Sequence, residues 1–346
     1  MPSNCANWAF VCAKKTSPPH KPSVLLDLNP VKPLSVALRH VPLTVLNGMA
    51  RTASWAINDI SQLTIKRVIG YNLALAYPHL SAQARQQLAE QTLTNQYLNA
   101  AAALKSWVMP PDWSVRQIRA VHGQQVLTDA LASGSGVLAI VPHLGCWEMM
   151  NAWLNQFAAP TIMYKPTNSA TVDALMLQGR ERVRATLVPT DGRGVKAVLQ
   201  TLKQGGFSIV LPDHVPEPSS GAVVPFFGVP TLTGTLTTKL AARTGCRLVG
   251  LSCLRGADGN GFAVYCDALT DTDLWARDAA RSTAALNRAI EAMIARDSAQ
   301  YVWGYRRFKG VPNFKGIYRK DWQTVQRAVE QFHGVTAILP PNPRMV

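Results

Sequence analysis

Acidic side chains are scarce in this chain of 346 residues. It has 20 Asp and Glu residues against 35 Lys and Arg residues, which leaves a formal charge of +15 at neutral pH. This imbalance argues against a cationic partner and favours an anionic one. Nucleic acid, an anionic lipid surface, and phosphorylated or acyl-carrier substrates all fit, and charge alone ranks none of them first.

Cysteine is also sparse and irregularly spaced. The chain has six cysteines and no Cys-x-x-Cys pair, which excludes a recognisable disulfide framework. We therefore expect a reducing, cytoplasmic compartment in which most of the cysteines are small buried hydrophobic residues.

Long uninterrupted apolar runs are missing as well. A membrane-spanning helix needs roughly 20 apolar residues, and the candidate segment 34–60 is interrupted by Arg39, His40 and Arg51. Its pattern predicts a helix with a break at Pro42, which either lies in a membrane interface or packs on the domain. The N-terminus lacks the positive segment and the apolar length of a signal peptide.

Composition along the chain predicts one large α/β domain preceded by a helical extension. A strong helix is expected over 80–108, because Ser81 can cap it and Pro110 ends it. The predicted divisions are a flexible leader at 1–33, a membrane-associating helical region at 34–112, an α/β domain at 113–333 and a flexible tail at 334–346.

Short apolar runs alternate with helical segments after residue 113. GVLAIVP is bounded by glycine and proline and predicts a buried strand. The theme repeats in TIMYK, ATLVP, FSIVLP, RLVGLSCL and FAVYCDAL. Such alternation predicts a mixed, largely parallel sheet sandwiched by helices. In sheets of this kind the ligand binds beyond the carboxyl ends of the strands.

His143, in the stretch VPHLGCWE at residues 141–148, directly follows the first of these strands. His143 has the residue type that takes a proton from a hydroxyl at neutral pH, and a nearby carboxylate would fix its tautomer. Gly145 permits a turn that would bring the carboxylate of Glu148 back toward the imidazole. A bare His-x4-Glu pattern is nevertheless more often an ordinary strand-to-helix turn.

A second glycine-bearing stretch imitates a dinucleotide fingerprint. DGRGVKA, residues 191–197, follows a predicted strand and opens a helix, and Asp213 ends the next strand. A carboxylate at Asp191 would lie close to a pyrophosphate and repel it. A helix N-terminus with an acidic cap is the better interpretation.

Further polar residues follow other strands of the predicted sheet. Asp213 and His214 in LPDH come directly after the predicted strand FSIVLP, and the aspartate either caps the following loop or orients a catalytic partner. In GRERVRA, three arginines beginning with Arg180 either solvate one helix face or send one side chain into the site. YRRFK, which contains Arg306, is equally consistent with an interfacial or phosphate-binding role and with a solvated edge. VVPFFGVPTLTGT suits a groove lining or the core equally well.

Taken in order, these motifs resemble the lipid A biosynthesis acyltransferase family of late lauroyl- and myristoyl-transferases. The resemblance rests on NLALAYPHLSAQAR, HLGCWE, GRERVRATLVPTDGRGVKAVLQTLKQGG, LPDH, VPFFGVPTLTGT, KLAARTG and YVWGYRRFKGVP, and it runs from about residue 36 to 312. It implies a glycerol-3-phosphate acyltransferase-like fold. It also implies transfer of a fatty acyl chain from acyl carrier protein, or acyl-CoA, to a glycolipid hydroxyl at the cytoplasmic face of the inner membrane, without a metal or redox cofactor.

The resemblance also implies roles for individual residues. His143 would be the general base and Glu148 its partner. Arg180 would bind the oxyanion or an acceptor phosphate, and Asp213 would shape the site. His214 and Arg306 are further candidates for substrate binding because of their place beside these motifs.

Several alternatives stay open at this point. The acceptor could be a lysophospholipid, a mannolipid or a pigment head group. A non-catalytic basic protein that binds membranes or nucleic acid is a hypothesis from another class. Nucleic-acid binding predicts aromatics interleaved with cations on an extended surface, whereas here the polar residues cluster at strand ends, so we expect no nucleic-acid partner. We expect peripheral or weak anchoring through the N-terminal helix.

Overall fold

The computed structural model describes residues 31–58, 64–166, 169–257, 259, 261–311 and 314–335. Most of the expected leader and tail therefore lies outside the described residues. The first helix begins at Val31, three residues before the predicted start of the helical region. The division of the chain into domains stays a prediction.

Helices and strands alternate after residue 113, as predicted, and the described part of the chain before it is helical. The helices are α1 (Val31–His40), α2 (Leu43–Asn58), α3 (Thr64–Ala76), α4 (Ala82–Val108), α5 (Pro111–Gln117), α6 (Gln124–Ala132), α7 (Trp147–Leu154), α8 (Ala170–Glu181), α9 (Gly192–Lys203), α10 (Leu236–Thr244), α11 (Ala279–Ile294) and α12 (Trp322–His333). The strands are β1 (Ile118–His122), β2 (Val137–Ile140), β3 (Pro160–Tyr164), β4 (Thr186–Pro189), β5 (Phe207–Val210), β6 (Gly221–Phe226), β7 (Val229–Gly234), β8 (Arg247–Arg255) and β9 (Phe262–Ala268).

Seven strands form one sheet in the order β1-β9-β8-β2-β5-β3-β4. Every neighbouring pair in it is parallel except β8 and β9, which are antiparallel. The central strands β2 and β5 are buried along their whole length, because helices cover both faces of a parallel sheet. This confirms the predicted α/β class and explains why these strands are continuously apolar.

A two-stranded antiparallel hairpin, β6 and β7, lies outside the main sheet. Phe226 and Val229 flank its turn and are fully buried in the main core cluster. The turn places Phe227 and Gly228 at φ values of 50° and 74°. Of the two interpretations of this apolar stretch, the core role holds for its centre, while its end at Gly234 reaches the cavity described below.

The N-terminal helices pack against α4. The predicted break at Pro42 is confirmed, because α1 ends at His40 and α2 begins at Leu43. Lys105 of α4 is buried, and its Nζ donates hydrogen bonds to the carbonyls of Leu38, Arg39 and Val41 at 2.7–2.9 Å. One ammonium thus satisfies carbonyl groups that the end of α1 would otherwise leave unpaired. Within the described part of the chain, no helix combines the length and apolar character that crossing a membrane requires.

Candidate active site

His143 lies three residues beyond the end of β2, at the carboxyl edge of the sheet. Its backbone is fixed on both sides, because its carbonyl accepts a hydrogen bond from the Val302 amide at 3.1 Å and its amide donates to an Asp213 oxygen at 2.9 Å. The imidazole keeps 27% of its surface exposed. The position at a strand end is the one that the sequence predicted.

Gly145 makes the turn after His143 possible. Its φ is 69°, in the left-handed region that favours glycine. A Cβ at this position would lie 2.0 Å from the Cys253 carbonyl oxygen, which also accepts a hydrogen bond from the Cys146 amide at 2.8 Å. The Gly145 amide donates to the Gln300 carbonyl at 3.0 Å. The turn is therefore held by hydrogen bonds to Cys253 of β8 and to Gln300, and only glycine fits at position 145.

Asp213 is the carboxylate that contacts His143. Its Oδ1 lies 2.7 Å from His143 Nδ1, and its side chain is completely buried. Glu148 does not supply this contact, although its spacing suggested it. The reason is topological: β2 and β5 are adjacent parallel strands, so residues that follow them meet at one edge although they are 70 positions apart. The predicted contact between His143 and Glu148 is therefore wrong, and Asp213 is the carboxylate that binds the imidazole.

The Asp213 carboxylate also sets the protonation of this pair. Burial opposes the charged imidazolium, but the charge and the hydrogen bond of Asp213 outweigh it and raise the pKa of His143 above 6.5. Burial likewise works against the charged carboxylate, yet the charge and hydrogen bonds of His143 lower the pKa of Asp213. The aspartate therefore stays ionised and holds the Nδ1 proton of the histidine, which leaves Nε2 as the basic nitrogen.

An aromatic stack extends from His143 toward the segment after Tyr301. The imidazole of His214 stacks on that of His143 with centroids 4.0 Å apart, and Tyr305 stacks on the other face of His214 at 4.1 Å. The Tyr305 hydroxyl accepts a hydrogen bond from the Val215 amide at 3.0 Å. Partial burial and the neighbouring charge of His143 lower the pKa of His214, so His214 is neutral at pH 7 and does not compete for the proton.

Glu148 and Arg180 form a separate buried ion pair. Arg180 Nη2 donates to Glu148 Oε1 at 2.5 Å, and both side chains are less than a tenth exposed. The guanidinium also lies over the rings of Trp147 and Tyr164, at 4.7 and 5.8 Å from their centroids. Arg180 is thus the arginine of its cluster that turns inward, while the two others bind main-chain carbonyls at Trp107 and Asn155.

The two arginines of YRRFK have different environments. Arg306 is exposed, lies over the Tyr318 ring at 5.9 Å and is not among the residues around His143. Its neighbour Arg307 is buried and donates to the Leu232 carbonyl and the Thr233 hydroxyl. The sequence did not predict a role for Arg307, which lies close enough to Asp213 to interact with its charge. No sequence signal separates the two, since this segment is irregular and has no side-chain period.

The dinucleotide-like stretch has the simpler role. Asp191 is the N-cap of α9 and accepts hydrogen bonds from the amides of Arg193 and Gly194 at 2.8 and 3.3 Å. The acidic-cap interpretation is confirmed. Among the described residues, no three His, Cys, Asp or Glu side chains are grouped closely enough to hold a metal ion.

A cavity of about 670 Å³ opens beside His143 at the carboxyl edge of the sheet. His143, Arg180 and His214 lie on its wall together with the rings of Trp147 and Tyr164. Much of the remaining lining is apolar: Ile162, Met163, Met176, Ile209, Val210 and Leu236. Its size and its few polar groups are those of a small-molecule site. A carboxylate-bound histidine next to such a cavity defines a site for base-dependent chemistry on a partly apolar ligand.

Comparison with known proteins identifies the class. The model of the bacterial lipid A biosynthesis acyltransferase family matches residues 33–310. The chain belongs to this family, and it is an acyltransferase. The hypothesis of a non-catalytic binding protein is therefore wrong.

Individual relatives agree with this assignment. The chain is 27% identical over 257 residues to the lipid A biosynthesis lauroyltransferase of Escherichia coli K12, covering 71% of this chain and 81% of the relative. It is 24% identical over 242 residues to the lipid A biosynthesis palmitoleoyltransferase of the same organism, covering 70% and 78%. A phosphatidylinositol mannoside acyltransferase of Mycobacterium tuberculosis is 30% identical over 150 residues, 42% of this chain and 48% of the relative.

Proposed function

We propose that the protein transfers a fatty acyl chain from the thioester of acyl carrier protein to a hydroxyl of a lipid A precursor, with His143 as the general base. The observation that carries this proposal is the His143–Asp213 pair at the wall of the apolar cavity. Relatives named for lipid A and for phosphatidylinositol mannoside support a glycolipid acceptor. The net charge of +15 suits an acidic carrier protein and an anionic acceptor.

The chemistry requires no enzyme nucleophile. His143 Nε2 takes the proton of the acceptor hydroxyl as its oxygen attacks the thioester carbonyl carbon. The carbon–sulfur bond then breaks, and the departing sulfur receives that proton from the imidazolium. Asp213 keeps Nδ1 protonated and stabilises the positive charge that the ring carries between these steps.

Arg180 supplies positive charge to the same cavity. Glu148 holds one end of its guanidinium, and its buried Nε has no partner among the described residues. A group held in this way is positioned to bind the carbonyl oxygen that becomes negative during attack, or a phosphate of the acceptor. Glu148 therefore acts as a positioning residue for Arg180.

The protein would work at a membrane surface. Five large apolar side chains of α1 and α2 are exposed: Leu34, Val36, Val45, Met49 and Trp55. Together with the positive net charge, they fit attachment of the two helices in the plane of an anionic bilayer interface. We place this attachment at the cytoplasmic face of the inner membrane, where an acyl carrier protein can reach it.

The decisive test separates donors and acceptors. The purified full chain is incubated with lauroyl-, myristoyl- or palmitoyl-acyl carrier protein, or with the matching acyl-CoA, and mass spectrometry follows the acceptor. We expect a lipid A precursor to gain one acyl chain, and to do so faster from the carrier protein. Acylation of a phosphatidylinositol mannoside alone would instead favour the mannolipid acceptor, and no acylation of either lipid would contradict the proposal.

A further inference from the structure

A second cavity lies on the other side of the turn that follows His143, which we call the catalytic turn. It encloses about 660 Å³ between α2, α4 and the chain that follows β8. Because β8 lies beside β2 and runs parallel to it, this cavity opens at the same sheet edge as His143. None of the roles proposed above uses it.

Arg255, the last residue of β8, is the best-defined feature of this cavity. Its side chain is buried, with 6% of the residue exposed. Nη2 donates to the Leu98 carbonyl at 2.8 Å, and the guanidinium lies 4.8 Å from the Phe262 ring centroid. The buried Nε has no hydrogen-bond partner among the described residues. A buried guanidinium with an unused donor is costly unless a ligand pairs with it.

A second arginine converges on the same space. Arg51 projects from α2, and its Nη2 lies 3.6 Å from the place where a Cβ on Gly259 would be, so it reaches the loop after β8. Burial and the nearby charge of Arg51 both lower the pKa of Arg255. Within the described part of the chain, no carboxylate forms an ion pair with either arginine.

The remaining polar lining of the cavity includes two acidic residues that can accept hydrogen bonds from a ligand. Asp297 and Glu90 line the cavity, and each already accepts a side-chain amide hydrogen bond, from Gln300 and Gln86 respectively. Free carboxylate lone pairs at these positions can accept from hydroxyl or ammonium groups. Trp55 at the rim is 69% exposed on the helix proposed to lie at the membrane, and tryptophan favours headgroup depth.

We propose that this second cavity binds the phosphate of an anionic lipid headgroup, held between Arg51 and Arg255. Paired guanidinium groups are suited to phosphate because their planar donors match its oxygens. The site also contacts the catalytic turn. Gln300 exchanges two hydrogen bonds with the Arg255 backbone, and its carbonyl accepts from the Gly145 amide. A bound headgroup would therefore rest on the same residue that supports the turn after His143.

The test is binding of the full chain to vesicles of digalactosyldiacylglycerol, which lacks phosphate, doped with phosphatidic acid or with oleate at equal charge. We expect preference for phosphatidic acid, and about tenfold weaker binding in Arg51→Gln and Arg255→Gln. Lys203→Gln removes an exposed charge at the end of α9 and should leave binding unchanged. His143→Ala should also bind normally, so this assignment does not depend on the acyl-transfer chemistry.

Equal binding of wild type and both arginine variants to phosphatidic acid vesicles would overturn the assignment. If inorganic phosphate nevertheless bound in a titration and lost affinity in both variants, the site would serve free phosphate and not a lipid headgroup. Since Arg51 is exposed, Arg51→Gln keeps the test valid if Arg255→Gln unfolds the protein, as circular dichroism would reveal.

Discussion

Replacing Asp213 by Asn tests the contact that orients His143. The aspartate accepts two hydrogen bonds from His143, from the amide at 2.9 Å and from Nδ1 at 2.7 Å. The amide side chain has the same size, but its nitrogen cannot accept, so one of the two is lost together with the charge. A hydrogen bond to a charged group contributes about 1.5–3 kcal/mol, which corresponds to a fall in kcat of about 10- to 150-fold.

The pH dependence makes this prediction specific. Only the neutral imidazole can act as a base, so the wild-type rate should rise as the pH passes through the pKa of His143, which Asp213 raises above 6.5. Without the carboxylate this pKa falls, so the rise in Asp213→Asn should move to lower pH while the plateau decreases.

The assay is the initial rate of acyl transfer as a function of pH, with Asp271→Asn as control. Asp271 forms an exposed pair with Arg288, remote from the site, and its replacement should leave both plateau and midpoint unchanged. A rate for Asp213→Asn within about twofold of wild type and an unshifted midpoint would refute the proposed orientation of His143.

Three further predictions concern the turn after His143, the Glu148–Arg180 pair and the packing of the N-terminal helices. Gly145→Ala should lower the free energy of unfolding, measured in denaturant, by about 3 kcal/mol. Gly134 serves as the control, because its φ of 68° is similar but no atom lies within 4 Å of the place where its Cβ would be. Gly134→Ala should lower the free energy of unfolding by only about 1 kcal/mol. Arg180→Lys keeps the positive charge but loses the planar guanidinium group that Glu148 holds. We therefore expect kcat to fall about tenfold while the free energy of unfolding stays unchanged. Lys105→Met leaves three carbonyls without their donor. It should lower the free energy of unfolding by about 2–4 kcal/mol and speed tryptic cleavage at α1 and α2. Equal losses of unfolding free energy in the two glycine variants would contradict the close contact at Gly145. Wild-type kcat in Arg180→Lys, or an unchanged rate of tryptic cleavage in Lys105→Met, would likewise contradict the contacts proposed for those residues.

Much of the fold could be predicted because its signals are local. The strand β2 is a short apolar run between glycine and proline, and α4 begins at a serine that accepts from the Ala84 amide at 3.1 Å. β1 escaped prediction, because none of its five residues is buried and Arg119 and His122 interrupt any apolar run. The hairpin of β6 and β7 was not predicted either, because two prolines lie opposite each other in its register and proline inside an apolar run argues against a strand.

The site was predicted less completely for a related reason. His143 and its turn depend on neighbouring residues, so the sequence reveals them. The partner of His143 depends on the strand order, which puts β5 next to β2 although β3 and β4 intervene in the chain. Proximity in sequence therefore favoured Glu148 over Asp213, and only the arranged sheet brings Asp213 to the imidazole.

The most direct measurement of the central claim compares acyl transfer by wild type, His143→Ala and His122→Ala. His122 is an exposed histidine on β1 that stacks on Tyr265 and serves as the matched control. With acyl carrier protein as donor and a lipid A precursor as acceptor, His143→Ala should lose about 10²- to 10⁴-fold in rate, the contribution of a general base, and His122→Ala should retain full activity. Acyl transfer by His143→Ala at the wild-type rate, with the fold intact, would contradict the account.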